Sequence, residues 1–219
     1  MNAWWQWWRT RPPAFVAPVP WVDFHCHLVP GVDDGPRTLA DAAAMLECAA
    51  RIGITHIVIT PHYSDRYAPD DAAIARALAG LQEQAQGAAA AVQIISGREV
   101  TLTDQHMRAL KSSPALRIGA GPYALVELLE GLNRTAMVEC CSDLLAAGVR
   151  PIIAHPERNF MVQNAPDIMA ELRLRGALVQ VNATSLNGVY GAAARRAAQQ
   201  LLELQSVDML SSDAHRASD

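Results

Sequence analysis

A chain of 219 residues, 51% apolar and 18% charged, is globular in make-up and long enough to bury one sizeable core. Its formal net charge of −4 gives no reason to expect nucleic acid as the main partner, which usually needs a basic face. No stretch approaches the ~18 uninterrupted apolar residues of a membrane span, and no charged-then-apolar secretory signal opens the chain.

In chain order, residues 1–20 come first. Trp4, Trp5, Trp7 and Trp8 precede Pro12, Pro13, Pro18 and Pro20, which reads as a poorly ordered leader; a tryptophan patch resting on the rest of the fold, on a partner or on a membrane surface is the alternative. From residue 21 one rhythm repeats: a short apolar run, a polar loop, then a helical stretch. Strands are expected at 21–24, 56–60, 92–96, 124–126, 151–154, 178–181 and 209–210. Helices are expected at 39–51, 69–91, 133–147, 165–175 and 192–204, the first opened by a capping-box pair, Thr38 and Asp41, and stopped at Gly53. Strands alternating with helices imply parallel pairing, and seven such units without a Gly-rich dinucleotide turn suit a barrel-like sheet. No linker divides residues 21–219, so they are expected to form one domain.

The polar residues concentrate at the ends of the expected strands. Asp23, His25 and His27 accompany the first, with Asp33 and Asp34 just beyond. His62 follows the second and Glu99 the third; Glu127 ends the fourth, His155 the fifth, and Asp213 and His215 follow the seventh. In an α/β barrel these ends surround one mouth. Taken singly, Glu99 could cap a helix, and His56 and His106 read as surface or internally satisfied histidines. Taken as a set, converging buried acids would repel one another unless cations sat among them, and mixed histidine and carboxylate ligands suit zinc, manganese or iron. Residues two apart on a strand share a face, so His25 and His27 can grip one ion while Cys26 packs behind; Asp213 and His215 repeat the spacing. The four cysteines, Cys26, Cys48, Cys140 and Cys141, form no C-x-x-C pair and read as reduced, cytoplasmic thiols. None has an arginine six positions on, as cysteine-nucleophile phosphatases require, and phosphate-cradling Gly-x-x-x-x-Gly-Lys and Gly-x-Ser-x-Gly motifs are absent.

The runs His25-Cys26-His27, Val32-Asp33-Asp34-Gly35-Pro36, Thr60-Pro61-His62, Gly97-Arg98-Glu99, Leu125-Val126-Glu127, Ile153 to Arg158 and Ser212-Asp213-Ala214-His215 resemble the polymerase-and-histidinol-phosphatase (PHP) superfamily. Within it they are most similar to the manganese-dependent bacterial protein-tyrosine phosphatases associated with capsule and exopolysaccharide synthesis. The resemblance implies a distorted seven-stranded (β/α)7 TIM-like barrel with three divalent metals, manganese first and iron or zinc as alternatives. His25, His27, Glu99 and Asp213 would hold one ion; Glu99, Glu127 and His155 a second; Asp34, His62 and His215 the third. A metal-activated hydroxide would attack phosphorus and Arg158 would hold the phosphate; no strong general acid is obligatory, with His215 or a metal-bound water the groups that could assist the leaving group. The competing role for Arg158 is a surface ion pair with Glu157. The implied partner is a phosphotyrosine protein, namely the tyrosine-rich tail of a bacterial tyrosine kinase, with the enzyme itself a monomer or homo-oligomer. The chain ends four residues after His215, where such proteins continue through an arginine-bearing loop and a final helix. That helix is therefore expected to be missing, with Arg216 the nearest substitute arginine. The rivals are a small-ester phosphatase, for example on histidinol phosphate, and a non-catalytic regulatory module.

Overall fold

Parallel pairing, required by the alternation of strands and helices, holds for every ladder in the computed structural model. The structure describes residues 20–219, so the tryptophan-rich leader lies, apart from Pro20, outside the described residues. Nine strands form where seven are expected: β1 (Trp21–Cys26), β2 (Ile54–Ile59), β3 (His62–Tyr63), β4 (Gln93–Ser96), β5 (Glu99–Thr101), β6 (Tyr123–Glu127), β7 (Arg150–Ala154), β8 (Leu178–Asn182) and β9 (Met209–Ser211). The two additional strands arise because the second and third expected strands each resume after a break. Pro61, with no N–H to give a ladder, separates β2 from β3. Gly97 lies between β4 and β5, so close to β2 that a Cβ there would sit 3.2 Å from Val58 Cγ1.

These breaks divide the strands into two sheets, ordered β1-β2-β4 and β3-β5-β6-β7-β8-β9. The seven-stranded barrel expected from the sequence is therefore not closed by strand pairing. Where it would close, a single bridge joins Cys26 to Ala214. His27 donates its N–H to the Ala214 carbonyl at 2.9 Å, and Asp213 donates to the His25 carbonyl at 2.8 Å.

Among the described residues seven α-helices cover the strands: α1 (Leu39–Arg51), α2 (Asp71–Gln84), α3 (Asp104–Ser112), α4 (Arg134–Ala146), α5 (Phe160–Asn164), α6 (Asp167–Arg175) and α7 (Gly191–Glu203). The capping box on α1 forms as expected, with Thr38 and Asp41 each accepting the other's backbone N–H. α2 is shorter than the expected 69–91, because the chain turns extended at Ala85 and left-handed at Gly87 (φ 56°). No helix among the described residues is long and apolar enough to cross a membrane.

Alternation along the strands sorts side chains into separate cores. Val126, Ile153 and Val179 join Leu110, Met137, Leu144 and Leu201 beneath α3–α7. Leu125, Ile152 and Ala154 face the other way and pack together. Leu28, Ile57 and Ile59 pack with Leu46 and Leu81 in a distinct core beneath α1 and α2. At the irregular end of β1, buried Thr60 completes the strand: its Oγ1 accepts from Cys26 N at 3.1 Å and its own N–H donates to Cys26 O at 2.9 Å. Thr60→Val leaves the buried Cys26 N–H without that acceptor, so unfolding in denaturant should show a loss of about 1–3 kcal/mol.

Candidate metal centre

β1 delivers His25 and His27 to one point, as the two-residue alternation dictates, and leaves Cys26 pointing away, buried and free. Their Nε2 atoms lie 3.2 Å apart. Asp213 Oδ1 is 3.2 Å from His25 Nε2 and 3.5 Å from His27 Nε2, while Glu99 Oε2 is 3.4 Å from each. Adjacent ligand atoms held about 2.0–2.2 Å from one ion are roughly 2.8–3.6 Å apart at octahedral to tetrahedral angles. The observed separations fall in that range.

Around this point, ligand atoms of His25, Glu99 and His155 gather on one side and those of His27, Asp34, His62 and His215 on the other. His155 Nε2 lies 2.7 Å from Glu99 Oε1, and Asp34 Oδ1 lies 3.3 and 3.4 Å from Nε2 of His62 and His215. Eight of the nine expected ligands are thus brought together. Glu127 stands apart: half-buried, it accepts from Thr101 Oγ1 at 3.2 Å and shares a ≈350 Å³ cavity with His155 and Arg158. Glu99 opens β5 rather than following a strand, because of the break at Gly97.

Three of the imidazoles, His25, His27 and His215, are oriented from behind. His27 Nδ1 is 2.8 Å from Asp33 Oδ2, and His25 Nδ1 is 3.1 Å from Gln180 Oε1. With Nδ1 donating, each Nε2 keeps its lone pair for a cation. His215 Nδ1 donates likewise to the Asp213 carbonyl at 2.9 Å, which suits a ligand better than a proton donor. Asp213 Oδ2 accepts from Asn182 Nδ2 (2.7 Å) and Arg158 Nη1 (3.0 Å), turning Oδ1 toward the histidines. Gln180 also accepts the His155 N–H and donates to Asn182, so one buried chain of amides braces three ligands. His155 and Asp213 sit at φ 29° and 53°, the sparsely populated left-handed region where strain marks functional sites. Gly35 permits the loop carrying Asp33 and Asp34, because a Cβ there would lie 2.5 Å from the His27 carbonyl.

Gln180 and Asn182 are the residues that sequence reasoning missed. Their signal is two amides, two apart, in the otherwise apolar run Leu178-Val179-Gln180-Val181-Asn182. Asp23, grouped with the ligands in the sequence, instead accepts from Ser212 N and Oγ. His56 bonds Thr55, and buried His106 bonds the Thr101 carbonyl, so neither joins the centre. The expected alternative for Arg158, an ion pair with Glu157, does not form: Glu157 is buried and accepts from Ser185 Oγ and Asn182 N. Arg158 instead pairs with Asp213 and lies over the Tyr190 ring, Cζ 4.5 Å from its centre.

Electrostatics fit the group of cations that this donor set suits. Glu99 Oε2 is buried without a hydrogen-bond partner, yet histidine nitrogens stand 2.9–3.4 Å away. Burial alone would raise the Glu99 pKa; His25 and His155 hold it well below the usual carboxylate range. Burial likewise opposes charge on His25, but Asp213 and Glu99 hold its pKa up at about 9. Protons therefore balance the carboxylates when no cation does.

Residues 21–219 match the family model described as capsular polysaccharide synthesis, CpsB/CapC. Tyrosine-protein phosphatase YwqE of Bacillus subtilis is 30% identical over 196 residues, 89% of this chain and 77% of its own. Tyrosine-protein phosphatase CpsB of Streptococcus pneumoniae is 27% identical over 200 residues, 89% of this chain and 82% of its own. A crystal structure from work on these two proteins, described as unique metal-dependent tyrosine phosphatases, superposes with a TM-score of 0.80 at 30% identity, over 89% of this chain and 79% of that one. Histidinol phosphate phosphatase of Lactococcus lactis superposes with a TM-score of 0.57 at 10% identity, over 90% of this chain and 86% of that one, a likeness of fold alone.

Two outcomes follow from the geometry. Gly35→Ala should weaken divalent-metal affinity at least tenfold in chelator competition while circular dichroism stays unchanged. In metal-stripped protein, the His25 contribution to stability is complete below its unfolded pKa of ~6.5 and disappears as pH rises through about 9. Metal binding needs the neutral ring, so affinity should rise over the same window. Thermal melts of stripped and loaded protein from pH 6.5 to 9 should diverge accordingly.

Proposed function

The chain belongs to the CpsB/CapC family of capsular polysaccharide synthesis proteins, and on that premise we propose that it is a metal-dependent protein-tyrosine phosphatase. The observation that carries the reading is the buried, unpartnered Glu99 oxygen among the Nε2 atoms of His25 and His27 and the Nδ1 of His62. We propose that His25, His27, Glu99 and Asp213 hold one cation, His155 with Glu99 a second, and Asp34, His62 and His215 a third, with manganese the metal. Bound there, divalent cations supply Lewis acidity, lowering the pKa of water and offsetting charge on phosphoryl oxygens.

The chain's own residues then bind and orient the ester. Arg158 commits Nη1 to Asp213, rests its plane on Tyr190 and lines the ≈350 Å³ cavity beside His155. Its remaining guanidinium donors are available to a phosphate in the forked geometry that phosphate favours. Tyr190 limits the motion of that side chain, so less freedom is lost on binding. A tyrosyl leaving group has a pKa near 10, so the site needs no strong acid to release it. One cavity adjoins the centre at His155 and another at Asp34 and His215, which suits a side chain carried on a polypeptide. The proposed substrate is the tyrosine-rich tail of a bacterial tyrosine kinase governing polysaccharide export. The four free cysteines accord with a cytoplasmic setting.

Protein stripped with a chelator and reloaded with manganese should hydrolyse a phosphotyrosine peptide in preference to histidinol phosphate. His27→Ala and Glu99→Ala should abolish turnover with the fold retained. Arg158→Ala should raise KM for the peptide and weaken inhibition by inorganic phosphate, each about tenfold. Full activity in either ligand variant refutes the metal centre as the catalytic site, and turnover of histidinol phosphate alone replaces this substrate with the small ester.

A further inference from the structure

A cavity of ≈670 Å³ adjoins the centre on the side of Asp34 and His215, away from Arg158, and Arg37, Arg66 and Arg216 line it. Three aspartates also line it, but each is already committed. Asp33 accepts from His27 Nδ1 and from the backbone of Gly35 and His62. Asp41 closes the capping box with Thr38, and Asp34 faces His62 and His215. The arginines have no such partner. Every salt-bridged arginine among the described residues lies elsewhere: Arg98, Arg134, Arg158, Arg173 and Arg175.

One of the three is also held in place. Ser64 donates its N–H to the Tyr67 carbonyl at 2.7 Å and its Oγ accepts from Tyr67 N at 3.2 Å, closing a turn with Arg66 inside it. The Arg66 Cζ lies 5.0 Å from the centre of the Tyr67 ring, whose plane stacks on His62 at 5.7 Å and 13°. Guanidinium, phenol and imidazole therefore form one column running from the cavity to the metal-ligand group. In a chain with more acids than bases, three arginines turned into one hollow without acidic partners mark a place for anions from outside.

We propose that this cavity receives acidic side chains flanking the phosphotyrosine of a substrate polypeptide, with Arg37 and Arg66 setting the preference and Arg216 adding to the field. The proposal rests on the phosphotyrosine reading above and adds a sequence specificity to it. The cavity shares Asp34 and His215 with the metal-ligand group, and at ~3.3 Å per extended residue a glutamate one to three positions from the phosphotyrosine reaches about 3–10 Å along the chain.

The test uses the manganese-loaded full chain and three substrates: a phosphotyrosine peptide flanked by glutamates, the same peptide flanked by glutamines, and p-nitrophenyl phosphate, which has no flank. The acidic peptide should show about a tenfold higher kcat/KM than the neutral one at low salt, and the ratio should shrink at about 0.5 M salt as charges are screened. Arg37→Glu with Arg66→Glu should erase or reverse the ratio while leaving p-nitrophenyl phosphate turnover at wild-type level. The milder pair Arg37→Gln with Arg66→Gln should reduce the ratio in the same direction. Equal rates on the two peptides in the wild type, or a ratio that survives both double variants, overturns the proposal. Failure of the wild type on all three substrates refutes the phosphatase reading itself, and this preference with it.

Discussion

Glu99 governs the architecture of this protein. A carboxylate with almost no exposure is costly to bury unless positive charge or donors surround it. Here His25, His27, His62 and His155 all aim ring nitrogens at its two oxygens. Reaching one carboxylate from three separate segments explains the irregularities of the sheets: the break at Pro61 that releases His62, the break at Gly97 that starts β5 on Glu99, and the left-handed turn at His155. Regular strands throughout would pair better and would not converge.

A second tier built largely by β8 keeps that convergence in register. Gln180 and Asn182 share a face by strand alternation, and between them they touch His25, the His155 backbone and Asp213. Amides suit this place because they donate and accept without adding charge to a centre already crowded with it. Arg158 completes the tier at the surface, where Asp213 and Tyr190 hold a guanidinium against the opening.

Much of this was legible in the sequence, for reasons of period and spacing. His25 and His27 are two apart on a strand, so one face was implied before any coordinates, and Thr38 with Asp41 announced the start of α1 to the residue. The short helices α3 and α5 are hard to read from sequence for separate reasons: α3 is mostly polar and buries only His106, Met107 and Leu110, and α5 is barely more than one turn. The division of the strands was hidden for a different reason. Pro61 and Gly97 are visible as strand breakers, but the chain resumes its direction beyond each, and only the pairing partners of β3 and β5 reveal that the sheet has changed. Glu127 stands apart from the ligand group beside its pairing partner Thr101, from whose hydroxyl it accepts, a contact set by the register of β5 on β6 rather than by residue type. Arg158 pairing with Asp213, rather than its sequence neighbour Glu157, depends on contacts between segments over fifty residues apart.

The two sheets have a consequence for how the molecule comes apart. Each rests on its own apolar core, and a single backbone bridge with a few flanking hydrogen bonds ties β1 to the segment after β9. The proposed ligands, however, come from both: His25 and His27 from the smaller sheet, Glu99, His155 and Asp213 from the strands and strand ends of the larger. On the proposed function, a cation held among them would act as a cross-link between two halves that could otherwise open separately. Occupancy of the centre would then set the cooperativity of unfolding as well as its midpoint: one transition for the loaded protein, and two overlapping ones for the stripped protein.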